Sequence, residues 1–147
     1  MIRTQRHVTY SGAVEALQAG LAKASELGVN VAIAVTDASG ELVALGRIDG
    51  ANPRAWKGAL GKATVAAGLG RSTKEFLEKR LKQDEVLWRA MSANPDTFLV
   101  PGGHPLLVEG RSVGAVGVSG GHYEDDDRVA QAAAARFGEL AEPGSGA

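Results

Sequence analysis

Apolar positions change period several times along the chain, and the changes mark out its elements. Val14, Leu17, Leu21 and Ala24 recur at helical spacing, with Thr9 or Ser11 able to cap the start and Gly28 suited to the end. The period then drops to two. Val31, Ile33 and Val35 alternate with Ala32 and Ala34, so both faces are apolar and the strand should be covered on both sides. Asp37 to Gly40 carries turn residues in turn order, and Glu41 to Ile48 reads as the partner strand of a hairpin.

Asn52 and Pro53 announce a second helix, running to about Leu69. It is lined by Gly58, Ala59, Gly61, Ala63, Ala66 and Ala67, and a helix so poor in bulk depends on close tertiary packing. Ser72 and Glu75 form a capping box for a third helix, with Leu77, Leu81 and Trp88 on one face. Asn94-Pro95-Asp96 breaks the chain, and Phe98 to Val100 suggests a short strand. Pro101 to Pro105 reads as a stiff loop. Leu106 to Val108, a tight turn at Gly110-Arg111 and Val113 to Ser119 make a second hairpin. A last helix from about Glu124 to Leu140 turns Val129, Ala133 and Leu140 inward, with Phe137 near that stripe. This order predicts one α/β (α+β) domain over residues 1–140, a mainly antiparallel sheet with helices packed on it, and a disordered tail over residues 141–147.

Composition narrows the function classes. The 147 residues carry 16 Lys plus Arg against 17 Asp plus Glu, so no basic field recruits nucleic acid or an anionic membrane. The absence of cysteine removes disulfides, thiolate metal sites and a Cys nucleophile, and suits a reducing compartment. No apolar run reaches membrane-spanning length, and Met1 to Tyr10 lacks an apolar signal core. The expectation is a cytoplasmic protein with a small-molecule partner.

Candidate chemistry gathers in two glycine-rich segments. Gly114 to Gly121 resembles a dinucleotide loop, but its first glycines fall inside a strand rather than opening a helix. Such glycines signal a close neighbour, whether a helix, a bulge or a ligand. The helix that follows begins with Glu124, Asp125, Asp126 and Asp127, which suit its dipole and repel phosphate. His122 lies at this turn and His104 in the other glycine-rich segment. Chain order brings the two within reach of one pocket, with chemistry suited to proton transfer, haem or metal ligation. There is no H-E-x-x-H and no G-x-S-x-G, and Ser119 is not a recognisable activated nucleophile. Lys62 and Arg71 could anchor a carboxylate or a haem propionate, or be plain surface charge.

Four segments in order carry a resemblance: Val35 to Ala51, Lys62-Ala63-Thr64 with Arg71 and Thr73, Gly102 to Leu106, and Gly114 to Gly121. Over about residues 9–140 the chain resembles the GlcG/HbpS family, which includes the C-terminal domain of PduO-type proteins. The resemblance implies a profilin-like fold with a central antiparallel sheet flanked by helices. It also implies a homo-oligomer, often an octamer, and haem binding in some members; other members are tied by genomic names to glycolate use or corrinoid metabolism. The chain departs from the family pattern at Gly61, where an Asp is usual, at Leu69, where an aromatic is usual, and at His122, where a small residue is usual. Haem-binding relatives carry a His on or near the first helix; here His7 precedes it.

Two readings follow. In the first, the protein binds haem or a similar ligand through Gly103, His104, Pro105, Ser119, Gly120 and Gly121, with His104 or His122 on the iron. In the second, it is a cofactor-independent lyase, hydratase or isomerase on a small organic acid. His122 is then the acid/base, Lys62 or Arg71 holds the carboxylate, and the backbone N–H groups of Gly120 and Gly121 stabilise an oxyanion. A structural oligomer without ligand is the third alternative.

Overall fold

A strand with bulk on one face and only methyl groups on the other lets its two covering layers approach to different depths, and this asymmetry organises the molecule. The computed structural model describes residues 1–95 and 97–142. In chain order the elements are α1 (Tyr10–Leu27), β1 (Ala32–Asp37), β2 (Leu42–Arg47), α2 (Ala55–Leu69), α3 (Thr73–Lys79), a 3-10 turn (Leu81–Gln83), α4 (Glu85–Ser92), β3 (Gly103–Val108), β4 (Arg111–Ser119) and α5 (Tyr123–Ala141). The four strands form one antiparallel sheet in the order β2-β1-β4-β3. The expected class, a mixed α/β domain with an antiparallel sheet flanked by helices, is what the chain adopts.

Val31, Ile33, Val35, Val116 and Val118 face α1 and α5, and with Val129, Ala133 and Phe137 they form the main core. The opposite face is built from alanine: Ala32 and Ala34 meet Ala55 and Ala59, while Ala115 meets Ala63, Ala66 and Ala67. Helix α2 therefore lies almost on the strand backbone. A Cβ at Gly117 would stand 2.0 Å from the Ala59 carbonyl oxygen and 2.5 Å from the Ala63 nitrogen. The close neighbour announced by the strand glycine is this helix, and the small residues of α2 are what allow the approach.

Several boundaries differ from expectation. Thr9, one of the two expected caps, does cap α1, accepting from the Gly12 N–H. Asn52 accepts from the Arg54 N–H instead of capping, so α2 starts at Ala55, after a turn. The expected third helix is three pieces, because Asp84 accepts from the Leu87 N–H and starts α4 afresh. Phe98 to Val100 is irregular, not a strand. The segment read as a loop at Gly103 to Pro105 belongs to β3; Pro105 is tolerated because β3 is an edge strand. The hairpin turn centres on Glu109 and Gly110, one residue earlier than expected, with φ of 52° and 74°. In α5, Phe137 is buried beside the expected stripe, whereas Leu140, expected to face inward, is 41% exposed. That helix runs through Ala141, and residues 143–147 of the expected tail lie outside the described residues.

Candidate functional site

The N-terminal turn of α5 presents consecutive carboxylates in different directions. Extending the inward stripe of Val129, Ala130 and Ala133 backward by three residues reaches Asp126 and Asp127, and both are buried. In the sequence these acids stand out as partners of the helix dipole that repel phosphate. The helical spacing already contained the signal that two of them point inward.

Asp126 closes a buried ion pair. Lys62, on α2, is 2% exposed; its Nζ donates to Asp126 Oδ2 at 3.0 Å and to the Val118 carbonyl at 2.7 Å. Asp126 Oδ1 accepts from the Gly121 N–H at 3.0 Å. Burial pushes the Lys62 pKa below its usual value, an effect that Asp126 opposes. Burial likewise raises the Asp126 pKa, opposed by Lys62 and by the Gly121 N–H. Lys62 is thus a tie between α2, the end of β4 and the start of α5, with no face open to a substrate carboxylate. The Gly121 N–H is equally committed and is not a free oxyanion donor. Gly120 packs against the Asn30 and Val31 backbone, and Ser119 Oγ lies against Gly58 of α2.

The histidines separate. His122 is the N-cap of α5: its Nδ1 accepts from the Glu124 N–H at 3.2 Å, and its exposed ring lies 4.2 Å from the Tyr123 ring, centre to centre. His104, on β3 opposite Val116, turns toward α5, where its Nε2 meets Asp127 Oδ1 at 2.9 Å. His104 lines a groove of about 430 Å³ with Arg71, Ser72, Pro105, Leu107 and Ala134, and His122 is not among its walls. Gly103 stays beneath, its N–H donating to Thr73 Oγ1 at 3.0 Å. Of the residues singled out in the sequence, the fold brings His104, Pro105 and Arg71 together, leaves His122 at the helix start, and buries Lys62.

A second groove, of about 450 Å³, was not foreseen. Val8, Val108, Val113 and Phe137 form an apolar floor, with Arg6 and His7 at the rim. His7 Nδ1 lies 3.7 Å from Asp37 Oδ2, and Arg6 pairs with Glu109 at 2.7 Å. The only sequence signal was a histidine just ahead of the cap of α1.

A family model described as "Haem degrading protein HbpS-like" matches residues 8–135. A 15.0 kDa protein of Citrobacter freundii, from the dhaT-dhaS intergenic region, is 33% identical over 134 residues, 90% of this chain and 94% of the relative. Protein GlcG of Escherichia coli K12 is 36% identical over 103 residues, 70% of this chain and 74% of GlcG. A double mutant of Streptomyces reticuli HbpS superimposes with a TM-score of 0.80 at 32% identity, over 91% of this chain and 89% of HbpS. A complex of PduOC with haem shares the fold, with a TM-score of 0.78 at 24% identity, over 88% of this chain and 94% of PduOC. With a matched region running from the entry to α1 through most of α5, the chain belongs to the HbpS-like family that its glycine-rich segments resemble.

Proposed function

We propose that this protein binds haem, with His7 as the axial ligand. The observation that carries the reading is which imidazole nitrogen each histidine leaves uncommitted. An axial ligand needs a lone pair, and the nitrogen facing a carboxylate keeps the proton. At His122, Nδ1 accepts from a backbone N–H, so Nε2 carries the proton and has no lone pair to give. At His104, Nε2 is turned to Asp127, leaving only the more hindered Nδ1. At His7, Nδ1 lies 3.7 Å from Asp37 Oδ2, beyond hydrogen-bond distance, and among the described residues neither ring nitrogen is engaged in a hydrogen bond, so the ring keeps a lone pair to offer at the rim of an apolar groove.

The residues present fit the group. The floor of Val8, Val108, Val113 and Phe137 suits a porphyrin face, and Arg6 near the rim would exchange its Glu109 partner for a propionate. Bound haem would supply a redox-active iron, and the chain would supply the His7 imidazole to hold it and an apolar wall that limits water. The family description names haem degradation, and PduOC is known as a haem complex; both support this reading. We further propose that the protein is a homo-oligomer. Half-exposed Trp56 and Phe98 flank a common groove with Leu60 and Pro95 that a second copy would cover. Among the described residues no helix is long and apolar enough to cross a membrane.

Haem titration tests the proposal. The native chain should give a saturable Soret shift that His7→Ala removes, while His104→Ala and His122→Ala keep it. A His7→Ala protein that titrates like the native one refutes His7 as ligand, and the absence of any saturable shift refutes haem binding. The alternative reading, acid–base catalysis on an organic acid, is less favoured because Lys62 is buried and His122 Nδ1 caps α5, although Arg71 remains exposed for a carboxylate.

A further inference from the structure

We infer that the groove lined by His104 and Arg71 is a binding site for a small amphiphilic carboxylate, separate from the His7 groove. Three features converge there. The first is an uncommitted cation: among the described residues, the exposed Arg71 makes no ion pair and no side-chain hydrogen bond. It stands just after α2 and its C-cap Gly70, beside Ser72. A guanidinium is the side chain best shaped to hold a carboxylate through two parallel hydrogen bonds.

The second is an oriented imidazole. The His104 ring is 17% exposed and Asp127 is 10% exposed, and their 2.9 Å contact fixes the ring from the α5 side. With Nε2 committed, Nδ1 is the ring nitrogen without a protein partner among the described residues, and it is free to meet a polar group of a ligand. A surface histidine serving only solubility has no need of a nearly buried carboxylate behind it.

The third is the wall between these groups. Pro105, Leu107, Ala134, Ala135 and Gly138 give a surface with few polar atoms, suited to an apolar ligand body. Glu75 is the acidic member of the lining and is drawn 3.5 Å from Lys79. It limits the site to a ligand with one carboxylate, since a second anionic group would meet it. The site therefore takes a monocarboxylate with an apolar body and a second polar group: the carboxylate on Arg71, the body on Pro105 and Leu107, the polar group on His104. A diphosphate or a dicarboxylate is excluded by Glu75 and by the single cation.

The experiment uses the full haem-free chain and titrates 4-hydroxybenzoate by calorimetry, with benzoate and 4-hydroxybenzamide as companions. The expected result is saturable one-site binding of 4-hydroxybenzoate, weaker binding of benzoate, and no measurable binding of the uncharged amide. Arg71→Gln should weaken 4-hydroxybenzoate roughly tenfold or more, the loss of one charge-assisted contact. His104→Phe keeps the apolar wall and should reduce 4-hydroxybenzoate to the level of benzoate. His104 ring resonances followed by NMR should move on titration, while the His7 resonances stay fixed. Haem titration of Arg71→Gln should match the native chain, so failure here is distinguishable from failure of haem binding. Non-saturable uptake, equal binding of the amide, or native affinity in Arg71→Gln overturns the inference.

Discussion

Replacing Lys62 by methionine keeps the unbranched stem of the side chain as far as Cε and removes the charged Nζ, which isolates what the buried pair does. At 3.0 Å the two charges attract by about 5–6 kcal/mol at an effective dielectric constant of about 20. Withdrawing each ion from water costs several kcal/mol, so the intact pair is close to neutral against apolar residues of the same shape. Removing one partner is different. Asp126 remains 2% exposed with the Gly121 N–H as its remaining partner, and Val118 loses a donor to its carbonyl.

Lys62→Met should therefore destabilise the chain by about 3–5 kcal/mol at pH 7. Urea melts at fixed protein concentration measure this, with the melting temperature falling roughly 6–20 °C. The double variant Lys62→Met/Asp126→Leu should recover most of the loss. Its pH profile carries the second signature. The folded state holds the Asp126 proton to higher pH than the unfolded state, so this group's contribution is full at acid pH and declines as pH rises through its folded value. Lys62 gives up its proton earlier when folded, so stability rises with pH between its folded and ordinary values. Both slopes should disappear in the double variant. A double variant as unstable as Lys62→Met would refute the charge argument and assign the loss to the hydrogen bonds at Val118 and Gly121.

Two further substitutions test the packing. Gly117→Ala places a methyl group 2.0 Å from the Ala59 carbonyl, where only backbone can move aside, and should cost at least about 3 kcal/mol or abolish soluble expression. A native-like melting curve for it would contradict the described approach of α2 to β4. Thr36 is fully buried and its Oγ1 has no hydrogen-bond partner among the described residues, so Thr36→Val should raise stability by about 1 kcal/mol in the same urea assay. A loss instead would mean that the hydroxyl is satisfied in solution.

Local chemistry wrote the frame of this fold openly. The two-sided apolar alternation of Val31 to Val35 announced a covered strand, and the alanines and glycines of α2 announced close packing. Failures came where tertiary context overrides a local signal. Pro105 and its glycines look like a loop until β3 is seen to be an edge, where a missing N–H costs nothing in the ladder. The stretch from Ser72 to Ser92 is helical in composition, but Asp84 restarts it by capping. The candidate site was legible by residue type and not by role. His104 and Arg71 stood out in the sequence, while Asp127 as the partner of His104 required knowing which way α5 faces β3. Lys62 looked like an anchor because nothing local says that it is buried.

Asp126 and Asp127 are adjacent, yet one reaches the core lysine and the other the groove histidine. Neighbouring positions on a helix differ by about 100° in direction, so both contacts hold at one rotational setting of α5 only. The helix is keyed like a shaft with two teeth. Inserting or deleting a single residue between Asp127 and Val129 would turn both teeth by about 100° relative to the core stripe of Val129, Ala133 and Phe137, uncoupling core and groove in one step.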